Sequence, residues 1–321
     1  MNKKKIIYGT TIGSILIVAI IALAALFFNN GNGKIKFVAA YEYAQASAVM
    51  DVIKEDKLFE KYMPDNVEIE WTSIDSGSDR RDALATGRVV VAMLETTKAI
   101  PAIEKGYPIQ LLANGTKSMS AVYTMNPNIQ TPNDLAGKKI AYQGAKDIVF
   151  KSDMKRNFGV EFSDEQFLSV NEADLINLLV TNQVDGAILT NTMVEKAQAL
   201  NPDIRLVRDL TDETEYVGIA NWFLGNSDFF RQNPDLLQPT IDAYTEAIDK
   251  INNDLDTVAN MLSPLFNMTV NQIKREFQVF PACLEVYGYD RMASILYDYG
   301  YLDSPAKPFE ELLNYESIPK K

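Results

Sequence analysis

ALATGRVVVAMLETT (83–97) and LLVTNQVDGAILTNT (178–192) can be laid over one another without a gap. The pairs Leu84/Leu179, Thr86/Thr181, Val89/Val184, Ala92/Ala187, Leu94/Leu189 and Thr97/Thr192 are then identical. Each stretch reads as a helix end, a turn, a buried strand and a polar loop. The turn residues are Gly87 and Asn182, the two types that best tolerate the left-handed conformation closing a helix. Shared α/β grammar produces part of such a match; a repeated plan produces all of it and predicts two lobes wired alike.

Outward from these stretches, short β-rich runs alternate with amphipathic helical runs, which argues an α/β fold with largely parallel sheets. Lys36–Ala40, Val67–Trp71, Ile109–Ala113 and Lys138–Tyr142 read as strands. Ala46–Tyr62 places Val49, Val52, Ile53, Leu58 and Phe59 at mostly helical spacing. A helix capped by Asp147 runs to Phe158 and stops at Gly159, and Asn171 with Asp174 starts the helix that carries the second echo. The lobes are therefore expected to be discontinuous: residues 35–124 and 221–321 in the first, with its C-terminal helices, and 125–220 in the second. The chain crosses near Val122–Met125 and returns near Val217–Phe223, and two crossings make a hinge. The C-terminal third reads as helices at Pro234–Asn253, Asp256–Phe266, Thr269–Phe277, opened by a capping box from Thr269 to Gln272, and Asp290–Gly300. Its aromatics, among them Tyr289, Tyr297, Tyr299 and Tyr301, read as packing.

At the N-terminus, MNKKK precedes an uncharged run from Ile6 to Phe28, which as a helix spans roughly 35 Å, enough for a hydrocarbon core of ~30 Å. Lys3, Lys4 and Lys5 then stay inside, and everything after Phe28 faces out. A cleavable signal is the competing reading, since Ala22-Leu23-Ala24 resembles a cleavage site. Residues 1–28 are thus a membrane anchor or signal sequence, and 29–34 a tether. The expected location is the extracytoplasmic face of the membrane, or the exterior if the run is cleaved.

The 321 residues, 47% of them hydrophobic, are enough for two lobes with substantial cores. A formal charge of -12 argues against a nucleic-acid partner. The sequence has no histidine, which removes histidine-based catalytic triads and nearly every zinc site. No catalytic residue, metal or cofactor is expected. The only cysteine, Cys283, has apolar neighbours and reads as a buried thiol. The sequons at Asn114 and Asn267 are open only to a host that glycosylates outside the membrane.

Ligands of open α/β sheets bind outside the carboxyl ends of the strands, so the echoed ends, Glu95-Thr96-Thr97 and Thr190-Asn191-Thr192, are expected to face one another across a cleft. Ser76-Gly77-Ser78 precedes a helix whose first turn carries Arg80 and Arg81. Either its N–H groups and hydroxyls hold an anionic or polar head group, or Ser78 is a plain cap; the arginines add positive potential or pair at the surface with Asp75, Asp79 and Asp82. Gln143 and Gly144 form the corresponding element of the second lobe. Thr96, Thr97, Thr190 and Asn191 offer hydroxyl and amide groups, and Asn114 follows a strand. Tyr41 and Tyr43 follow the first strand and offer ring faces, while Trp222 is either a ligand contact or hinge packing.

From about Lys34 to Leu313 the chain resembles the extracytoplasmic solute-binding proteins of ABC importers, in the group handling nitrate, sulfonates, taurine and thiamine-pyrimidine precursors. The matching pieces are Gly77-Ser78-Asp79 with Ala83-Leu84 and Gly87, KGYPIQLLA from Lys105, TPNDLAGKKIAY from Thr131, VDGAILTNT from Val184, NSDFFRQNPDLL from Asn226 and VFPACLEVYGYDRMASILYDYG from Val279. The acidic residue usual after Gly-x-Val is present as Asp185 but is Val90 in the first echo. The resemblance implies a two-lobed, periplasmic-binding-protein-like (type II) α/β fold with a double-crossover hinge, preceded here by one transmembrane helix. It implies a monomer that closes on a small polar or anionic solute and docks on an ABC permease with its ATPase. A ligand-sensing receptor is the alternative. A related pyrimidine-synthase enzyme consumes its own histidine, which this chain lacks.

Overall fold

The computed structural model describes residues 33–42, 47–115, 120–144, 146–210, 221–279, 284, 286 and 288–309. The run Ile6–Phe28, Tyr43 and Cys283 lie outside the described residues. No described helix is long and apolar enough to cross a membrane.

The first sheet holds β1 (Ile35–Tyr41), β2 (Val67–Ser73), β3 (Val91–Glu95), β4 (Ile109–Asn114) and, from far along the chain, β10 (Asn221–Asn226), in the order β2-β1-β3-β10-β4. The second holds β5 (Ala121–Thr124), β6 (Ile140–Tyr142), β7 (Phe167–Ser169), β8 (Gly186–Leu189) and β9 (Arg205–Asp209), in the order β7-β6-β8-β5-β9. The wiring is the same in both. β1 runs parallel to β2 and β3 while β10 is antiparallel to β3 and β4; β6 runs parallel to β7 and β8 while β5 is antiparallel to β8 and β9. In each lobe the antiparallel strand is the one by which the chain enters after a crossing.

That placement shifts one boundary. β5 belongs to the second sheet, so the first crossing falls between Asn114 and Ala121 rather than at Val122–Met125. The apolar run at 121–124 carries no mark of which sheet it joins; its partners decide that. The return lies between Asp209 and Asn221, earlier than but overlapping the expected Val217–Phe223.

Helices cover both faces of each sheet. They are α1 (Ala48–Glu55), α2 (Leu58–Tyr62), α3 (Gly77–Ala85), α4 (Thr96–Glu104), α5 (Lys146–Phe158), α6 (Glu172–Val180), α7 (Asn191–Leu200), α8 (Ser227–Gln232), α9 (Leu237–Asn253), α10 (Leu255–Phe266), α11 (Val270–Val279) and α12 (Tyr289–Asp298). The single helical run read at 46–62 is broken by Lys57 at φ 54. The period of two along β3 sends Met93 into the core under α1, α2 and α9 and Leu94 into the core under α3, α4 and α12. In β8, Ile188 and Leu189 divide in the same way between the cores of the second lobe. Gly87 and Asn182 take φ values of 71 and 56, as their place at the helix ends requires. The turn at Gly159 is also left-handed, at φ 67.

Among the described residues the lobes also touch away from the crossings. Ile148 of α5 is buried in the first lobe's core beside Met292 and Ile295 of α12. Glu195 of α7 accepts from Gln272 of α11 at 2.8 Å and pairs with Arg275 at 2.5 Å.

Candidate functional site

Most of the candidate residues lie at the carboxyl edges of the two sheets, a first wall in one lobe and a second in the other. On the first wall β3 ends at Glu95 and passes without a loop into α4 at Thr96. On the second, β8 ends at Leu189 and α7 starts at Asn191 with Thr190 in the N-cap position. The polar loops read from the echo are therefore first turns of helices, in the same register in both lobes. Thr96 is buried, while Thr97, Thr190 and Asn191 are half-buried. The side chain of Thr192 is outside the described residues.

The start of α3 answers the question raised by its two arginines. Ser76, not Ser78, is the N-cap, accepting from the Asp79 N–H at 3.3 Å. Arg80 is not a surface residue: it is 2% exposed. Its Nη1 donates to the carbonyls of Ile74 at 2.8 Å and Asp75 at 3.2 Å and pairs with Glu42 at 2.5 Å, while Nη2 lies 3.9 Å from Glu95 Oε2. None of the three aspartate carboxylates near it in sequence engages it. Arg81 does pair locally, with Asp82 at 2.7 Å.

Glu95 does more than accompany Arg80. A Cβ placed on Gly77, the first residue of α3, would lie 2.4 Å from Glu95 Oε2, so the carboxylate rests directly against the end of the helix. Negative charge is stabilised there by the helix dipole and the free N–H groups. Lys98 holds the other oxygen at 3.2 Å. Behind this group Ser47 donates to Glu42 at 2.7 Å. Asp51 of α1 is fully buried, and neither of its carboxylate oxygens has a hydrogen-bond partner among the described residues. Burial, opposed by Lys54 and reinforced by Glu42 and Glu55, pushes Asp51 up to about 8.

On the second wall Gln143 is half-buried and Gly144, at φ 74, turns the chain from β6 into α5. Asp147, expected as the cap, instead lies inside the first turn of a helix that begins at Lys146. It is 4% exposed and bonded to Lys151 at 3.2 Å; Lys151 also holds Asp164 at 2.7 Å. Burial raises the Asp147 carboxyl above the usual range.

Other candidates have structural surroundings. Tyr41 meets Trp71 edge-on at 6.2 Å and carries the Lys54 ammonium 4.6 Å over its ring. Trp222 is 2% exposed and stacks on Tyr289 at 6.0 Å, the hinge-packing reading of that residue. Asn114 is wholly buried, its carbonyl accepting from the Tyr244 hydroxyl at 2.6 Å, so its sequon is closed in the folded protein. Thr97 lines a surface groove with Arg81, Lys98, Pro101, Lys105 and Tyr301, and its hydroxyl has no partner among the described residues. Sequence reasoning singled out neither Glu42 nor Asp51, and read Asp147 only as a helix cap. No local signal joins Glu42 to Arg80; only the parallel packing of β1 beside β3 does.

A family model described as NMT1/THI5 like matches residues 62–256, more than half of the chain. The chain belongs to the NMT1/THI5-like family. Solved structures share its fold. The periplasmic aliphatic sulphonate binding protein SsuA of Escherichia coli superposes with a TM-score of 0.71 at 18% identity, covering 84% of this chain and 94% of that one. The alkanesulfonate-binding protein SsuA of Xanthomonas axonopodis pv. citri, bound to MOPS, gives 0.69 at 16% identity over 84% and 95%. A Candida albicans protein described as having the generic periplasmic binding protein fold gives 0.62 at 19% identity over 84% and 91%. No curated protein matches the chain in sequence.

Proposed function

We propose that this protein is the solute-binding component of an ABC importer, capturing a small polar organic molecule between its lobes and delivering it to a permease driven by its ATPase. The observation that carries the reading is the pair of like-wired sheets, each entered by an antiparallel strand after a crossing. In this reading the carboxyl edges of the two sheets face one interlobe crevice, and ligands of open α/β sheets bind outside the carboxyl ends of the strands. Membership of the NMT1/THI5-like family and the fold shared with sulphonate-binding proteins support it.

In this reading Ser76, Gly77, Thr96 and Thr97 form one wall and Gln143, Gly144, Thr190 and Asn191 the other. Closure follows from better contacts in the shut state and needs no covalent chemistry. The run Ile6–Phe28 holds the monomer on the extracytoplasmic face of the membrane. The full-length protein, melted against a broad panel that includes sulfonates, nitrate, taurine-like compounds, amines and pyrimidines, is expected to be stabilised by a narrow subset. A panel without a single stabilising solute contradicts the reading.

A further inference from the structure

The two helices that leave the second wall reach across to the first lobe, each near its own start, and they do so by different chemistry. Ile148, in the first turn of α5, is 1% exposed within the first lobe's core, beside Met292 and Ile295 of α12. Glu195, one turn beyond Asn191 in α7, meets α11 through a polar contact.

That polar contact matches a carboxylate. Gln272 and Arg275 stand three residues apart and so on one face of α11, and each takes one oxygen. Gln272 Nε2 donates to Glu195 Oε2 at 2.8 Å, and Arg275 Nη2 donates to Oε1 at 2.5 Å. The Gln272 amide is held in one orientation, because its Oε1 already accepts from the N–H and the hydroxyl of Thr269, both at 2.9 Å. The capping box that opens α11 therefore leaves Nε2 aimed at α7. The donor is set before the lobes meet.

The two contacts differ in what parting them involves. Withdrawing Ile148 returns apolar surface to water, which is unfavourable. Parting Glu195 from α11 wets groups that are partly wet already: 37% of the Glu195 side chain and 57% of that of Arg275 are exposed.

We propose that Glu195, Gln272 and Arg275 form a latch that holds the lobes shut at the α7 edge, while the apolar contact of Ile148 stays made and is the fixed side of the movement. Exposed polar contacts of this kind are worth a factor of roughly ten in an equilibrium. The latch alone thus leaves shut and open arrangements both populated, and a solute has a shut form to select.

The test needs no solute. Spin labels at Ala199→Cys of α7 and Thr257→Cys of α10, both exposed, in a Cys283→Ser background of the full-length protein, report the separation at that edge by pulsed dipolar spectroscopy. The unmodified latch is compared with Gln272→Glu, with Arg275→Gln, and with Glu195→Gln combined with Gln272→Glu; circular dichroism establishes that each is folded. A glutamate serves in a capping box as well as a glutamine, so Q272E keeps the helix start and sets a second carboxylate against Glu195. The double variant exchanges donor and acceptor: an amide at 195 donates to a carboxylate at 272, and its oxygen still accepts from Arg275.

The expected result is a short-distance population in the unmodified latch, a ratio of shut to open lowered at least about fivefold in Q272E and about threefold in R275Q, and its return in the double variant. Absence of the short-distance population, an unchanged ratio in a folded Q272E or R275Q, or a loss that the double variant does not restore overturns the latch. Each of these leaves the solute-binding reading standing, because no solute enters the measurement. A silent solute panel overturns that reading and leaves the latch standing.

Discussion

The two echoed segments share a backbone and differ in what their side chains do. Val90 and Asp185 occupy one position, just ahead of the strand, and each donates its N–H to a backbone carbonyl of the neighbouring segment: Val90 to Val38 within β1 at 2.7 Å, Asp185 to Lys139 just ahead of β6 at 2.9 Å. In the second lobe the Asp185 carboxylate then ties the Lys139 N–H at 3.0 Å and the Asn126 side chain at 3.2 Å. In the first lobe Val90 is wholly buried in the core, and polar tying falls to Asn226, whose N–H reaches the Val90 carbonyl at 2.8 Å and whose amide reaches Leu84 at 2.7 Å. The departure from the family pattern at Val90 therefore leaves the turn intact. A backbone plan can be repeated while its polar bonds are carried by different residues.

Exchanging chemistry between the lobes breaks the comparison most severely. Val90→Asp places a carboxylate in an apolar core without a partner and should cost about 3 kcal/mol or more, read as a lower midpoint in urea. Asp51 is the natural counterpart, a carboxyl the fold already holds buried. Its pKa is raised from 3.8 to about 8, so between those values the folded protein binds more protons than the unfolded chain and stability falls as pH rises. Asp51→Asn should flatten that slope between pH 4 and 8. At pH 8 it should raise stability by on the order of 2 kcal/mol, with little change at pH 4; melting curves across pH check this, with Glu42, Glu55 and Lys54 unchanged.

Asp185→Ala removes two acceptor contacts from a half-buried site and should cost about 1–2 kcal/mol, again read in urea. The equivalent turns provide the finest test. Gly87→Ala should cost roughly 1 kcal/mol, because a Cβ is disfavoured at positive φ. Asn182→Gly should change stability by no more than a few tenths of a kcal/mol, in the favourable direction. Similar losses from both changes would mean that the two turns are not alike.

The repeat was legible because it rests on local rules. Gly87 and Asn182 announce left-handed turns, Asn171 caps with its side chain on the Asp174 N–H at 2.9 Å, and the Thr269 to Gln272 box forms as read. The α/β class and the two lobes follow from such signals. What escaped depends on distant neighbours. The sheet that β5 joins, the position of β10 inside the first sheet and the union of Glu42, Arg80 and Glu95 are all decided by pairing between segments far apart in sequence. Tyr41 and Trp222 each carry a large ring with a polar atom, which suits a core edge as readily as a pocket.

Closure of the two lobes on a solute is the central claim, and a distance between them reports it. Spin labels at Glu165→Cys on the second lobe and Asp235→Cys on the first, both exposed, in a Cys283→Ser background, allow pulsed dipolar spectroscopy with and without a solute that raises the melting temperature. The account predicts a shorter and narrower distance distribution when the solute is bound. A solute that binds and stabilises the protein while leaving the distribution unmoved would contradict it.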